Sequence, residues 1–174
     1  MKTILTALAL ALSFSVFAQN AVDTHYKAYA DDDRLSHVSI SAKMFELFTH
    51  IEGDTPEEKE ILEAISKLKG MKMIAGPVDN PQSEYKKALA IPPAKYEELM
   101  VVKQEGEEFT FKVKEENGII SELLMVGWTQ GQEGDQGEFY IMSLFGEIDL
   151  KQIRRLAKVI EIDGMEHLDK IDSE

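Results

Sequence analysis

Near Met100 the spacing of apolar side chains changes from about 3.6 residues to 2, and that change dictates a fold of both helices and strands. Phe109, Phe111 and Val113 alternate with Thr110, Lys112 and Lys114, the pattern of a half-buried strand. Asn117-Gly118 follows, the dipeptide best suited to a tight hairpin because both residues tolerate positive φ. Ile119 to Thr129 then reads as a long return strand and Phe139 to Phe145 as another, joined through Gln130 to Gly137. Connections this short require antiparallel neighbours. With a strand beginning at Met100, the C-terminal half is a four-stranded meander.

Upstream, Met44, Leu47, Phe48 and Ile51 form one helical stripe, with Ser39 or Ser41 as cap and Gly53 beyond its end. Thr55, Pro56 and Glu58 spell a capping box with proline in the first turn. Ile61, Leu62, Ile65 and Leu68 make the buried face of that helix, and Gly70 is read as its left-handed stop. Met71 to Ala75 is a short strand, and Asn80-Pro81 opens a further helix carrying Tyr85, Ala88 and Leu89. Pro92-Pro93 breaks it, and Pro93 to Leu99 is expected to form one more helical turn. Asp149 caps a last helix with the stripe Leu150, Ile153, Leu156, Ala157 and Ile160, and Met165, Leu168 and Ile171 suggest a final amphipathic turn. The expected architecture is an α+β two-layer sandwich: a mainly antiparallel sheet of four to five strands, covered on one face by helices.

The N-terminal stretch reads as an address. Lys2 precedes an apolar run from Ile4 to Phe17, and Val16-Phe17-Ala18 fits a signal peptidase, so residues 1–18 are expected to be a signal peptide. The run is too short for a typical membrane span of about 20 residues. Residues 19–37, with Asp31-Asp32-Asp33, read as a flexible or loosely docked lead, and residues 38–174 as one domain. The mature chain is expected in the periplasm or outside the cell, with no transmembrane span after cleavage. The chain has no cysteine, which removes disulfides, thiolate nucleophiles, zinc fingers, iron–sulfur clusters and attachment of lipid to an N-terminal cysteine. A net charge of −13 argues against nucleic acid as a partner.

The order of elements, together with three stretches, resembles a family of exported bacterial proteins catalogued as domain of unknown function 4252 and frequent in Bacteroidota. The stretches are Val38-Ser39-Ile40-Ser41-Ala42-Lys43-Met44-Phe45, Tyr96-Glu97-Glu98-Leu99-Met100 and Phe145-Gly146-Glu147-Ile148-Asp149-Leu150. The resemblance spans Ser36 to Ile162 and implies an exported α+β domain. Many members look like lipoproteins, a feature this cysteine-free chain does not share. The resemblance implies no catalytic residues.

Candidate sites are few. His25, His37, His50 and His167 show no close metal-ligand spacing and read as surface or capping residues. No serine stands in a Gly-x-Ser-x-Gly elbow. In the loop Gly131 to Gly137, Glu133 and Asp135 with Glu138 offer oxygen ligands suited to Ca²⁺, although the spacing is not that of an EF-hand and a plain hairpin connection fits better. Trp128 beside Tyr140 would make an aromatic contact patch if both face outward, and Trp128 is core if it faces inward. The methionines read as core filling. No cofactor is expected. The function expected is an exported, non-catalytic binding module of the bacterial envelope with a protein or peptide partner. The alternative is an exported hydrolase using carboxylates or a divalent cation.

Overall fold

The computed structural model describes residues 20–50, 55–131 and 136–150. The signal peptide expected over 1–18, the loop acids Glu133 and Asp135, and the helix and turn expected beyond Leu150 lie outside the described residues. In chain order the elements are α1 (Ala21–His25), α2 (Lys27–Ala30), β1 (Ser36–Ser41), α3 (Ala42–Phe48), α4 (Pro56–Ser66), β2 (Leu68–Pro77), α5 (Pro81–Leu89), β3 (Glu97–Gln104), β4 (Glu107–Glu116), β5 (Ile119–Thr129) and β6 (Glu138–Ile148).

The six strands form one open sheet in the order β1-β2-β6-β5-β4-β3, every neighbouring pair antiparallel. The fold is α+β, as the change of period requires. The meander β3 to β6 forms as expected, and its β4–β5 hairpin turns at Asn117 (φ 56°) and Gly118 (φ 80°). The sheet is larger than the expected four to five strands. The additional one is β1, which arises where the sequence suggests only a lead segment and a helix cap.

Helices lie on both faces of the sheet, not one. Leu123, Leu124, Met125 and Val126 on β5 are consecutive and all essentially inaccessible to solvent. A strand alternates its side chains between faces, so four buried neighbours require cover on both sides. Leu123 and Met125 join Phe111, Met142 and Leu144 under Phe45 of α3 and Ile65 of α4. Leu124 and Val126 join Ile74, Phe139 and Ile141 under Tyr85 of α5 and Ala21, Val22 and Tyr26 of the lead.

That lead is therefore docked. Asn20 caps α1 by accepting from the Asp23 N–H at 3.0 Å, and the Tyr26 hydroxyl donates to the Ala88 carbonyl at 3.0 Å. Ala21, Tyr26 and Leu35 are buried in the second core. With Val22 these apolar side chains, at irregular spacing, escape a periodicity test, yet together with Tyr85 and Ala88 of α5 they cover that face of the sheet.

Local helix chemistry follows the sequence closely in α4 and α5. Glu58 N–H donates to Thr55 Oγ1 at 3.2 Å while Thr55 N–H donates to Glu58 Oε2 at 2.9 Å, the reciprocal capping box. Asn80 accepts from Ser83 N–H at 3.0 Å ahead of Pro81. Two expectations fail at helix ends. α4 stops at Ser66, and Gly70 lies within β2 opposite Ser41 and Phe145, where a Cβ would stand 2.4 Å from the Phe145 ring. The helical turn expected over Pro93 to Leu99 is a turn closed by Tyr96 N–H on the Pro93 carbonyl at 3.1 Å, after which β3 begins at Glu97.

Candidate interaction surface

The stripe Met44, Leu47 and Phe48 that suggests the buried side of α3 is its solvent side. Phe45 alone turns into the core, at 5% exposure, while Met44, Leu47 and Phe48 stand at 46%, 51% and 38%. α3 has seven residues and rests on β1 and β2 with α4 beside it. One inward side chain suffices for that seat, and among the described residues nothing covers the other three apolar side chains.

Immediately before α3 runs β1, an edge strand that among the described residues pairs with β2 alone. Its sequence Ser-His-Val-Ser-Ile-Ser contains no Lys, Arg, Asp, Glu or Pro, the residues with which sheets usually blunt an edge. The opposite edge, β3, carries Glu97, Glu98 and Lys103. Ile40 packs against the core beneath α3, so Val38, two residues away, projects on that same face, 43% exposed. Val38, Met44, Leu47 and Phe48 thus gather four exposed large apolar side chains within eleven residues.

Trp128 and Tyr140 do not form a joint patch. Tyr140 lies opposite Gly127 in the β5–β6 register, which places its neighbour Trp128 on the other face. Trp128 packs at the margin of the core holding Tyr26 and Phe139, and its buried indole N–H has no acceptor among the described residues. Tyr140 sits on the α3 side, its ring 6.0 Å from that of Phe109 and its hydroxyl donating to Glu138. Phe109 covers Gly127, where a Cβ would come within 2.2 Å of the ring. His25 faces Tyr96 edge-on, His37 lies exposed on β1, His50 follows α3, and His167 is outside the described residues. Among the described residues no three His, Asp or Glu side chains gather as a metal site.

A polar cluster that the sequence reading missed lies under the lead. Glu122, 2% exposed, accepts from Ala21 N–H at 2.5 Å, from the Tyr96 hydroxyl at 2.7 Å and from the Ser143 hydroxyl. These donors come from α1, the β3 approach and β6, so one carboxylate ties three separate segments together. The signal was available: Ser121 and Glu122 are the polar interruption in the otherwise apolar run Ile119 to Trp128.

Burial raises the tyrosines around this cluster. The Tyr26 and Tyr96 hydroxyls are pushed far above their usual range, first by loss of water and, for Tyr96, next by its hydrogen bond to Glu122. Tyr29 and Tyr85 are pushed up to about 12, again chiefly by burial. A phenol whose folded value is raised contributes stability that is complete below the unfolded value of 10.0 and drains away as pH rises toward the folded value. Between about pH 10 and 12, stability is therefore expected to fall steeply. Phenolate absorbance of these four residues should appear together with loss of far-ultraviolet dichroism. Ionisation that runs to completion with the dichroism intact would contradict the burial.

Residues 26–156 match the family model described as Domain of unknown function (DUF4252). The chain belongs to this family. The DUF4252 match takes in β1 to β6 and begins at Tyr26, so it contains Glu122, Tyr96, Ser143 and the β1–α3 surface, whereas α1 and its Ala21 donor precede it. No curated protein and no solved structure matches the chain. Among the described residues no helix is long and apolar enough to cross a membrane, and the chain has no cysteine to carry a lipid.

Proposed function

We propose that this DUF4252 chain is an exported, non-catalytic interaction module of the bacterial envelope that holds a protein or peptide partner through α3 and β1. The observation that carries this reading is the uncovered stripe Met44, Leu47 and Phe48 beside an uncharged, open strand edge. Apolar surface gains about 25 cal/mol per Å² when a partner removes it from water. An unpaired strand offers ready-made hydrogen bonds to an incoming segment. Neither group contributes to the monomer's own core, so a binding role accounts for both. Export rests on the leader-like run from Ile4 to Phe17 ahead of Ala18.

The test is a photo-crosslinking amino acid placed in intact cells at Leu47 and, as control, at Lys86, which is exposed on α5 against the other face. A discrete adduct is expected from the Leu47 position and none from Lys86. In the same cells the processed chain should begin at Gln19 and fractionate away from the cytoplasm. Absence of any adduct at Leu47, or equal labelling at both positions, would remove the proposal.

A further inference from the structure

We infer that the partner seated on β1 is a second copy of this chain, joined edge to edge about a two-fold axis so that two six-stranded sheets become one. The inference rests on the interaction reading of the same surface and names its occupant.

Electrostatics restrict where copies can meet. At a net charge of −13 two chains repel, and contact is cheapest where acids are absent. From Arg34 to Phe45 there is no Asp or Glu, and Glu46, the single acid of α3, is paired with Lys43 at 2.7 Å. The β3 edge instead carries Glu97 and Glu98, so β1 is the edge of the sheet without acids.

Register and parity agree with self-pairing. In an antiparallel pair, residues directly opposite share a face. An axis through Ser39 therefore sets Val38 against Ile40 of the second copy on the α3 face, and His37 against Ser41 of the second copy on the other. The exposed valine gains an apolar neighbour, and no charged pair is created.

Helix spacing supplies the strongest support. α3 touches both β1 and β2, so it lies over that strand pair. Strands are about 4.8 Å apart, which puts α3 roughly one spacing from the seam on each side. The two α3 helices would then run about 10 Å apart, close to the 8–10 Å separation of packed helices. The Met44, Leu47 and Phe48 stripes of both copies would cover each other across the seam. Such a contact is isologous and closes after two copies, leaving the charged β3 edges outermost.

The purified mature chain tests this by light scattering on a sizing column, where a mass twice that of one chain is expected. Leu47→Glu should return it to one chain mass with unchanged dichroism, since that side chain is half exposed and outside the core. The absence of natural cysteines makes a second test direct: Ser39→Cys should oxidise to a covalent dimer, and Val101→Cys on the exposed face of β3 should not. A single-chain mass at every concentration, or covalent dimer from Val101→Cys alone, overturns the inference. A Leu47 crosslink to a different protein also overturns self-pairing while leaving the interaction module intact. Loss of every Leu47 adduct would sink both.

Discussion

Glu122→Ala is expected to lower the unfolding free energy by about 3 kcal/mol, read as a fall in the urea midpoint at unchanged slope. The substitution leaves Ala21 N–H and the hydroxyls of Tyr96 and Ser143 without their acceptor in a site with almost no access to water. Each buried donor left unpaired costs about 1–3 kcal/mol, offset in part because a buried charge is also removed. Glu122→Gln keeps the volume and one carbonyl oxygen, and should cost about half as much. The loss should also be directional. Ala21 N–H is the link between α1 and the sheet, so hydrogen exchange at Ala21 and Val22 should quicken in both variants while exchange in β5 follows only global stability. A cost under about 1 kcal/mol for Glu122→Ala would mean that the carboxylate does not fasten the lead to the sheet.

Gly146→Ala is expected to cost about as much, through backbone instead of hydrogen bonds. Gly146 has φ 142°, where L side chains are strained, and it lies opposite Leu68 at the irregular start of the β2–β6 ladder. A Cβ there would stand 2.5 Å from the Lys67 carbonyl oxygen, 2.7 Å from Leu68 Cα and 2.8 Å from Lys69 N. All three are main-chain atoms at the junction of α4 and β2, so no side-chain rotation relieves the contact. A loss of about 3 kcal/mol or more is expected from strain and displaced backbone together. Gly118→Ala is the matched comparison. Gly118 also has positive φ, 80°, but nothing lies within 4 Å of its Cβ position. That variant should lose only about 1 kcal/mol. Equal losses at the two positions would show that the close approach at Gly146 contributes nothing beyond dihedral preference.

The contrast between those glycines reflects what a sequence can disclose. Asn117-Gly118 is legible because a tight hairpin needs positive φ at adjacent residues and few residue pairs tolerate it. Gly146 is not, because its requirement comes from main chain 77 to 79 residues earlier. Thr55 and Glu58 could be paired by inspection for the same reason that Asn80 could be named a cap: the partner lies three residues away.

Candidate surfaces were less legible. A helical stripe states that three apolar residues share a side, and it does not state whether anything covers that side. Met44, Leu47 and Phe48 do share a side of α3, but the sheet meets that helix through Phe45. Trp128 and Tyr140 lie on neighbouring strands as expected, yet the register sets Gly127 opposite Tyr140 and so divides the pair between faces. The acids Glu133 and Asp135 lie outside the described residues. Glu122 could have been noticed as a polar break in a strand, but its three donors are 21 to 101 residues distant.

By itself the order of residues determined the α+β class, the capped starts of α4 and α5, the hairpin at Asn117-Gly118 and the antiparallel sense of β3 to β6. Each of those depends on interactions within a few residues or on periodicity along one element. Only the tertiary structure decided that the sheet has six strands with helices on both faces, that the lead is fastened to Glu122, and that the apolar side of α3 looks outward beside a bare edge. The reason is that burial belongs to pairs of surfaces, and the second surface of each pair is supplied by chain far away.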